Sequence, residues 1–142
     1  MIRALYRAAD AVRHRLNPDD HGRLGEDLAH RYLQKQGVTI VARRYRPPGG
    51  GGEIDLVGWQ GETLVLVEVK TRATAEFGMP ERAVDADKER YLRHAGRDFA
   101  RRAGVEWGNV RFDIVSIVLT DPPFVEWFPD AFAPDRPRPA GN

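Results

Sequence analysis

Residues 53–72, EIDLVGWQGETLVLVEVKTR, hold two runs of apolar and β-branched residues on either side of Gly61-Glu62. That density of Val, Leu and Ile predicts two β-strands, the second well buried. Gly at the first position of a two-residue loop predicts a type II′ hairpin turn. With that turn Gln60 faces Thr63, Trp59 faces Leu64 and Val57 faces Leu66. Asp55 then faces Glu68, with Cβ atoms ~5 Å apart on one face of the sheet. Lys70 shares that face by the two-residue repeat. A turn centred on Trp59-Gln60 instead would keep the face but separate the carboxylates along the strands.

A buried strand that delivers Glu68 and Lys70 needs a reason. In one reading the strand end emerges into solvent and its charges are simply hydrated. In the other they perform chemistry. Two ionised carboxylates ~5 Å apart repel by about 3 kcal/mol at an effective dielectric near 20. Proteins relieve such a clash by raising a pKa, adding positive charge or binding a cation. The chain has no cysteine, and His14, His21, His30 and His94 form no His-Glu-x-x-His pattern. A hard, all-oxygen donor set therefore points to Mg²⁺ or Mn²⁺ rather than zinc. Such an ion with a lysine beside it suits phosphodiester hydrolysis.

Outward from the hairpin, residues 38–46 (VTIVARRYR) predict a preceding strand. The PPGGGG loop that follows has no Gly-Lys-Ser/Thr and opens no helix, so it is not a phosphate loop; its glycines let the backbone bend close to a neighbour. A helix is predicted from about His21 to Gln36, ended by Gly37, with Leu24, Leu28, Tyr32 and Leu33 inward and Glu26 at the border of that face. Residues 2–16 predict an amphipathic basic helix, broken by Asn17-Pro18-Asp19-Asp20. After a loop with Phe77, Gly78 and Pro80, a helix is expected over Ala86–Ala103 with Asp85 as N-cap. Lys88, Leu92, Ala95, Phe99 and Ala103 trace one stripe along it. VRFDIVSIVL (110–119) predicts a strand parallel to the hairpin's second strand. VEWF (125–128) adds a short edge, and from Pro129 onward the Pro-rich tail is expected to be disordered.

The result is an α/β fold with a mixed sheet: an antiparallel hairpin, a parallel strand–helix–strand unit and flanking helices. Its parts are an N-terminal extension (1–20), one domain (21–132) and a tail (133–142). The composition, 42% hydrophobic and 30% charged, is that of a globular chain. No apolar run is long enough to cross a bilayer, and the N-terminus lacks a signal peptide's apolar stretch. Cytoplasm is the expected location, and no membrane partner is expected. The net charge of +1 hides an asymmetry: residues 1–50 carry ten Lys/Arg against five Asp/Glu. That half can lie along phosphates or be a solvated face.

GEDLAHRYLQKQG (25–37), GGEIDLVG (51–58), LVLVEVKTR (64–72), FGMPERAV (77–84), RFDIV (111–115) and EWFPDAF (126–132) together resemble the YraN family. These are small bacterial endonuclease-like proteins of the PD-(D/E)XK nuclease superfamily, similar to archaeal Holliday-junction resolvases. The resemblance implies a restriction-endonuclease-like core. It matches Asp55 to the motif aspartate and Glu68 and Lys70 to the Glu-x-Lys, making these three the implied catalytic residues. It matches Glu26 to a helical glutamate that helps hold metal, so the implied ligands are Glu26, Asp55, Glu68 and the Val69 carbonyl. Arg43, Arg44, Arg46, Arg72 and Lys88 are the candidate contacts to nucleic acid, and a homodimer is expected by analogy with resolvases.

The leading expectation is a Mg²⁺- or Mn²⁺-dependent endonuclease hydrolysing DNA, with branched or repair structures as candidate substrates. The alternatives are a catalytically silent nucleic-acid-binding module and a scaffold protein that pairs through residues 1–20. Carboxylates repel phosphate, so a pure binder has no use for them.

Overall fold

The computed structural model describes residues 18–74 and 84–135. The expected helix over 2–16, the loop with Phe77, Gly78 and Pro80, and the end of the tail lie outside the described residues. The order of elements is α1 (Pro18–Lys35), β1 (Thr39–Tyr45), β2 (Ile54–Gln60), β3 (Thr63–Arg72), α2 (Ala86–Ala103), a 3₁₀ turn (Trp107–Asn109), β4 (Val110–Val118) and β5 (Phe124–Phe132). The strands form one sheet in the order β1-β2-β3-β4-β5. β3 and β4 are parallel and every other pair is antiparallel. This is the expected α/β fold with a restriction-endonuclease-like core.

The hairpin has the predicted register, with Gln60 opposite Thr63, Trp59 opposite Leu64 and Val57 opposite Leu66. Gly61 has φ 59°, the positive φ that the first central position of a type II′ turn demands. The ladder ends at Leu56 and Val67. One residue further on, the Asp55 carboxylate accepts a hydrogen bond from the Val69 N–H at 2.8 Å. The register that packs the core thus sets the spacing of the acids.

Both faces of the sheet are covered. Leu56, Val65, Val67, Val115 and Ile117 pack with Leu28, Ala29 and Leu33 of α1. Ile54, Val57, Leu64, Leu66 and Phe112 pack with Leu92, Ala95 and Ala100 of α2. A strand buried on both faces reads as a continuous apolar run, which is why β3 is apolar from Leu64 to Val67. Glu68 has the parity of Leu64 and Leu66 and so emerges on the α2 side.

Several boundaries differ from the sequence expectations. Pro18, expected as a breaker, starts α1; it fits there because the first turn's N–H groups have no helical acceptor. α2 spans the expected residues, with the Asp85 side chain accepting from the Lys88 N–H at 2.8 Å. Of its stripe, Leu92 and Ala95 are buried and Ala103 is exposed. β5 continues to Phe132 rather than stopping at Phe128. Phe132 stacks on Phe112 with centroids 4.8 Å apart, so Pro129 lies inside a strand that has enough apolar contact to stay on the sheet. It sits at the sheet edge, where its missing N–H is tolerated. Beyond the strand, the Trp107 indole N–H donates to Asp135 at 2.8 Å, and Arg97 pairs with the same carboxylate.

Candidate metal and nucleic-acid site

A cleft of about 540 Å³ opens where α1 passes the ends of β2 and β3, lined in part by His21, Glu26, Asp55, Glu68, Val69 and Thr71. It therefore gathers Glu26, Asp55, Glu68 and Val69, the four residues expected around a cation. Gly25 brings α1 this close. A Cβ at that position would lie 1.8 Å from Thr71 Oγ1 and 2.8 Å from Thr71 Cβ. Thr71 is β-branched and stiff, so the helix would have to move. Gly25→Ala should therefore carry Glu26 away from the cleft. We expect a stability loss of roughly 1–3 kcal/mol and clearly weaker Mn²⁺ binding by calorimetry. Unchanged affinity would separate Glu26 from the cation site.

Burial dominates the electrostatics. It pushes the Asp55 carboxyl up to about 8, helped by the charge of Glu68 and opposed by the Val69 N–H. Burial also raises Glu68, against the pull of Lys88. Lys88 Nζ, from the first turn of α2, stands 3.4 Å from Glu68 Oε1. The other oxygen, Glu68 Oε2, is buried without a hydrogen-bond partner. An orphaned carboxylate oxygen is costly in a protein interior. It is what a cation site made of hard oxygen donors leaves behind in protein atoms alone.

The acids group differently from the sequence expectation in one respect. Glu26, Glu53 and Asp55 each offer an oxygen within 4.8 Å of the others, a set able to hold a metal ion. Glu53 was not among the expected ligands. Its position two residues before Asp55 was the available signal, since alternate residues of an extended segment share a face.

The basic candidates surround these acids. Arg44 Nε lies 2.7 Å from Glu26 Oε2, and Arg43 lies 2.8 Å from Asp27 and 3.5 Å from Glu26. Arg46 Nε lies 2.6 Å from Glu53. Arg44 takes φ 51°, uncommon outside glycine. Lys70, at an intermediate level of burial, sits beside Ser116 in the β3–β4 register and adds positive charge near Glu68. Arg72 ends the same strand, paired in register with Val118.

These features define a mixed-sheet α/β protein with a restriction-endonuclease-like core and an acidic cleft ringed by arginine and lysine. The chain belongs to the uncharacterised protein family UPF0102, the YraN family, whose model matches residues 25–117. It is 60% identical to a UPF0102 protein of Solibacter usitatus over 93% of this chain and all of that one. It is 41% identical to one of Koribacter versatilis over 82% of each chain. A UPF0102 protein of Dictyoglomus turgidum is 33% identical over 82% of this chain and its own full length. Among the described residues, no helix is long and apolar enough to cross a membrane.

Proposed function

We propose that this protein is a Mg²⁺- or Mn²⁺-dependent nuclease that hydrolyses phosphodiester bonds of DNA, with branched or repair intermediates as its candidate substrates. The observation that carries this reading is the pairing of Asp55 and Glu68 beyond the hairpin ladder. Burial raises both carboxyls, Asp55 to about 8, and Glu68 Oε2 makes no hydrogen bond. Partly buried, mutually repelling carboxylates cost stability, and such a cost is characteristic of functional sites.

The donors Asp55, Glu68 and the Val69 carbonyl, with Glu26 or Glu53 completing the set, suit a hard cation. A bound Mg²⁺ or Mn²⁺ supplies an activated water and stabilises negative charge on the phosphoryl group. The Val69 N–H fixes the Asp55 rotamer. Lys70 neutralises charge developing at phosphorus and orients the attacking water. It need not act as the base, since an ordinary lysine is protonated near neutral pH. Arg43, Arg44, Arg46, Arg72 and Lys88 supply phosphate contacts around the cleft. The paired ones can exchange a carboxylate for a phosphate when a cation takes the acid.

The test is cleavage of a panel of branched, nicked and single-stranded DNA in Mn²⁺. Asp55→Ala and Lys70→Ala should each lower the rate at least about 100-fold, in line with losing a charge-stabilising group, without a change in fold by circular dichroism. Wild-type rates in both variants would reject the site. Salt-sensitive DNA binding that needs no metal and survives loss of Glu68 would instead indicate a silent binding module.

A further inference from the structure

Among the described residues, Tyr91 is one of few large hydrophobic side chains left exposed, at 48%. It lies on the solvent side of α2, one turn after Lys88. Residues three apart on a helix are neighbours, ~5–6 Å between Cβ atoms. Tyr91 and Lys88 together line a depression of about 320 Å³ with Gly51, Gly52, Glu53 and Leu92. A second depression, of about 530 Å³, adjoins it at the start of α2 and shares the same two residues.

Two walls of the smaller depression belong to the carboxylate site. Lys88 reaches Glu68, and Glu53 joins Glu26 and Asp55. Its floor is glycine for a steric reason. A Cβ on Gly52 would sit 2.6 Å from the Tyr91 carbonyl oxygen, and one on Gly51 2.8 Å from the His94 ring. The loop lies flush against α2. Nearby acids are engaged: Asp85 caps the helix and Asp87 pairs with Arg90 at 2.9 Å. The Arg90 guanidinium lies over one face of the Tyr91 ring, 5.7 Å from its centroid, which leaves the other face for a ligand.

An accessible aromatic face flanked by cations is the chemistry of a nucleobase platform. Within a duplex both faces of a base are already stacked; only an unpaired base offers one. We propose that Tyr91 stacks an unpaired base next to the phosphate contacted by Lys88, which selects DNA with a single-stranded arm over blunt duplex. The inference rests on the nuclease reading of the cleft and adds its substrate class.

The experiment uses a forked DNA with 2-aminopurine in its unpaired arm and a blunt duplex of the same sequence, titrated with full-length protein in Ca²⁺. Wild type and Tyr91→Phe should quench the fluorophore and bind the fork alike. Tyr91→Ala should abolish the quench and weaken fork binding about tenfold, within the range measured for loss of one base–aromatic stack, and leave duplex binding unchanged. Equal loss for fork and duplex, no effect of Tyr91→Ala, or a Tyr91→Phe variant as weak as alanine would each overturn the proposal. Fork binding indifferent to Tyr91 removes the stacking role alone and leaves the nuclease reading standing. Failure of the wild type to bind either DNA removes both.

Discussion

Glu68→Gln should abolish saturable Mn²⁺ binding while making the metal-free protein more stable at pH 8. Asp55→Asn should do the same. The opposite signs arise from one arrangement, two partly buried carboxyls that a cation requires and the empty fold would do without. Removing one charge relieves up to about 3 kcal/mol of repulsion at close range, less whatever Lys88 already offsets. A net gain on the order of 1 kcal/mol is expected, visible as a rise of a few degrees in Tm.

Stability against pH checks the same point. The Asp55 carboxyl is raised from 3.8 to about 8 in the folded chain. Between those values the folded state holds a proton that the unfolded state has lost, so the metal-free protein should weaken as pH rises through that window. Mn²⁺ binding runs the other way. It displaces the retained proton, so affinity should rise up to about tenfold per pH unit below the folded value. Calorimetry and thermal melts at pH 6 and pH 8, on wild type and both variants, give four readouts for each protein. Destabilised variants, or a wild type whose stability is flat across the window, would make these acids structural.

Asp113→Ala is expected to lower stability by about 3–5 kcal/mol, the usual consequence of stranding a buried charge partner. Its side chain is fully buried, with Arg111 Nε 2.8 Å from Oδ1. A second Arg111 nitrogen donates to Oδ2 at 2.9 Å and the Trp127 indole N–H at 2.8 Å. The backbone N–H of Asp130 donates to Oδ1 at 2.9 Å. Arg111 also reaches Gln60 at 2.8 Å. One carboxylate thereby holds the edge strand β5 to β4 and ties β4 back to the hairpin. Urea denaturation should show the loss, and Mn²⁺ affinity per folded molecule should stay near wild type. A stable Asp113→Ala protein would mean that apolar contacts such as Phe112–Phe132 hold β5 unaided. RFDIV therefore contributes to the family pattern through its architecture, whereas EVK contributes through the cleft.

The hairpin was legible because its evidence is local. Branched residues and the two-residue repeat fix the shared face, and the Gly-led two-residue turn predicts the pairing that the structure shows. Asp55, Glu68 and Lys70 inherit their placement from that register. α2 was equally legible, since Asp85 caps it and its apolar stripe has helical spacing.

Glu26 was a border glutamate in the helical pattern, and the family resemblance gave it a role that geometry alone had not. Its approach to Asp55 depends on Gly25 lying against Thr71, a contact across about 45 residues of chain that no periodicity encodes. Glu53 was missed for a related reason: a glutamate after four glycines looks like solvated loop until the loop is folded back. The arginines of β1 and its following segment were read as phosphate contacts, and the pairing of Arg44 with Glu26 and Arg46 with Glu53 came only with the structure.

The sequence by itself determined the strand order of the hairpin, its register, the cap and span of α2 and the face on which Glu68 and Lys70 emerge. These follow from backbone geometry repeated over a few residues. Only the tertiary structure decided how deeply the acids are buried, which of them share a cleft and which cations stand beside them. Desolvation and Coulomb energy depend on distances between segments remote in sequence, and those distances exist only once the core has packed.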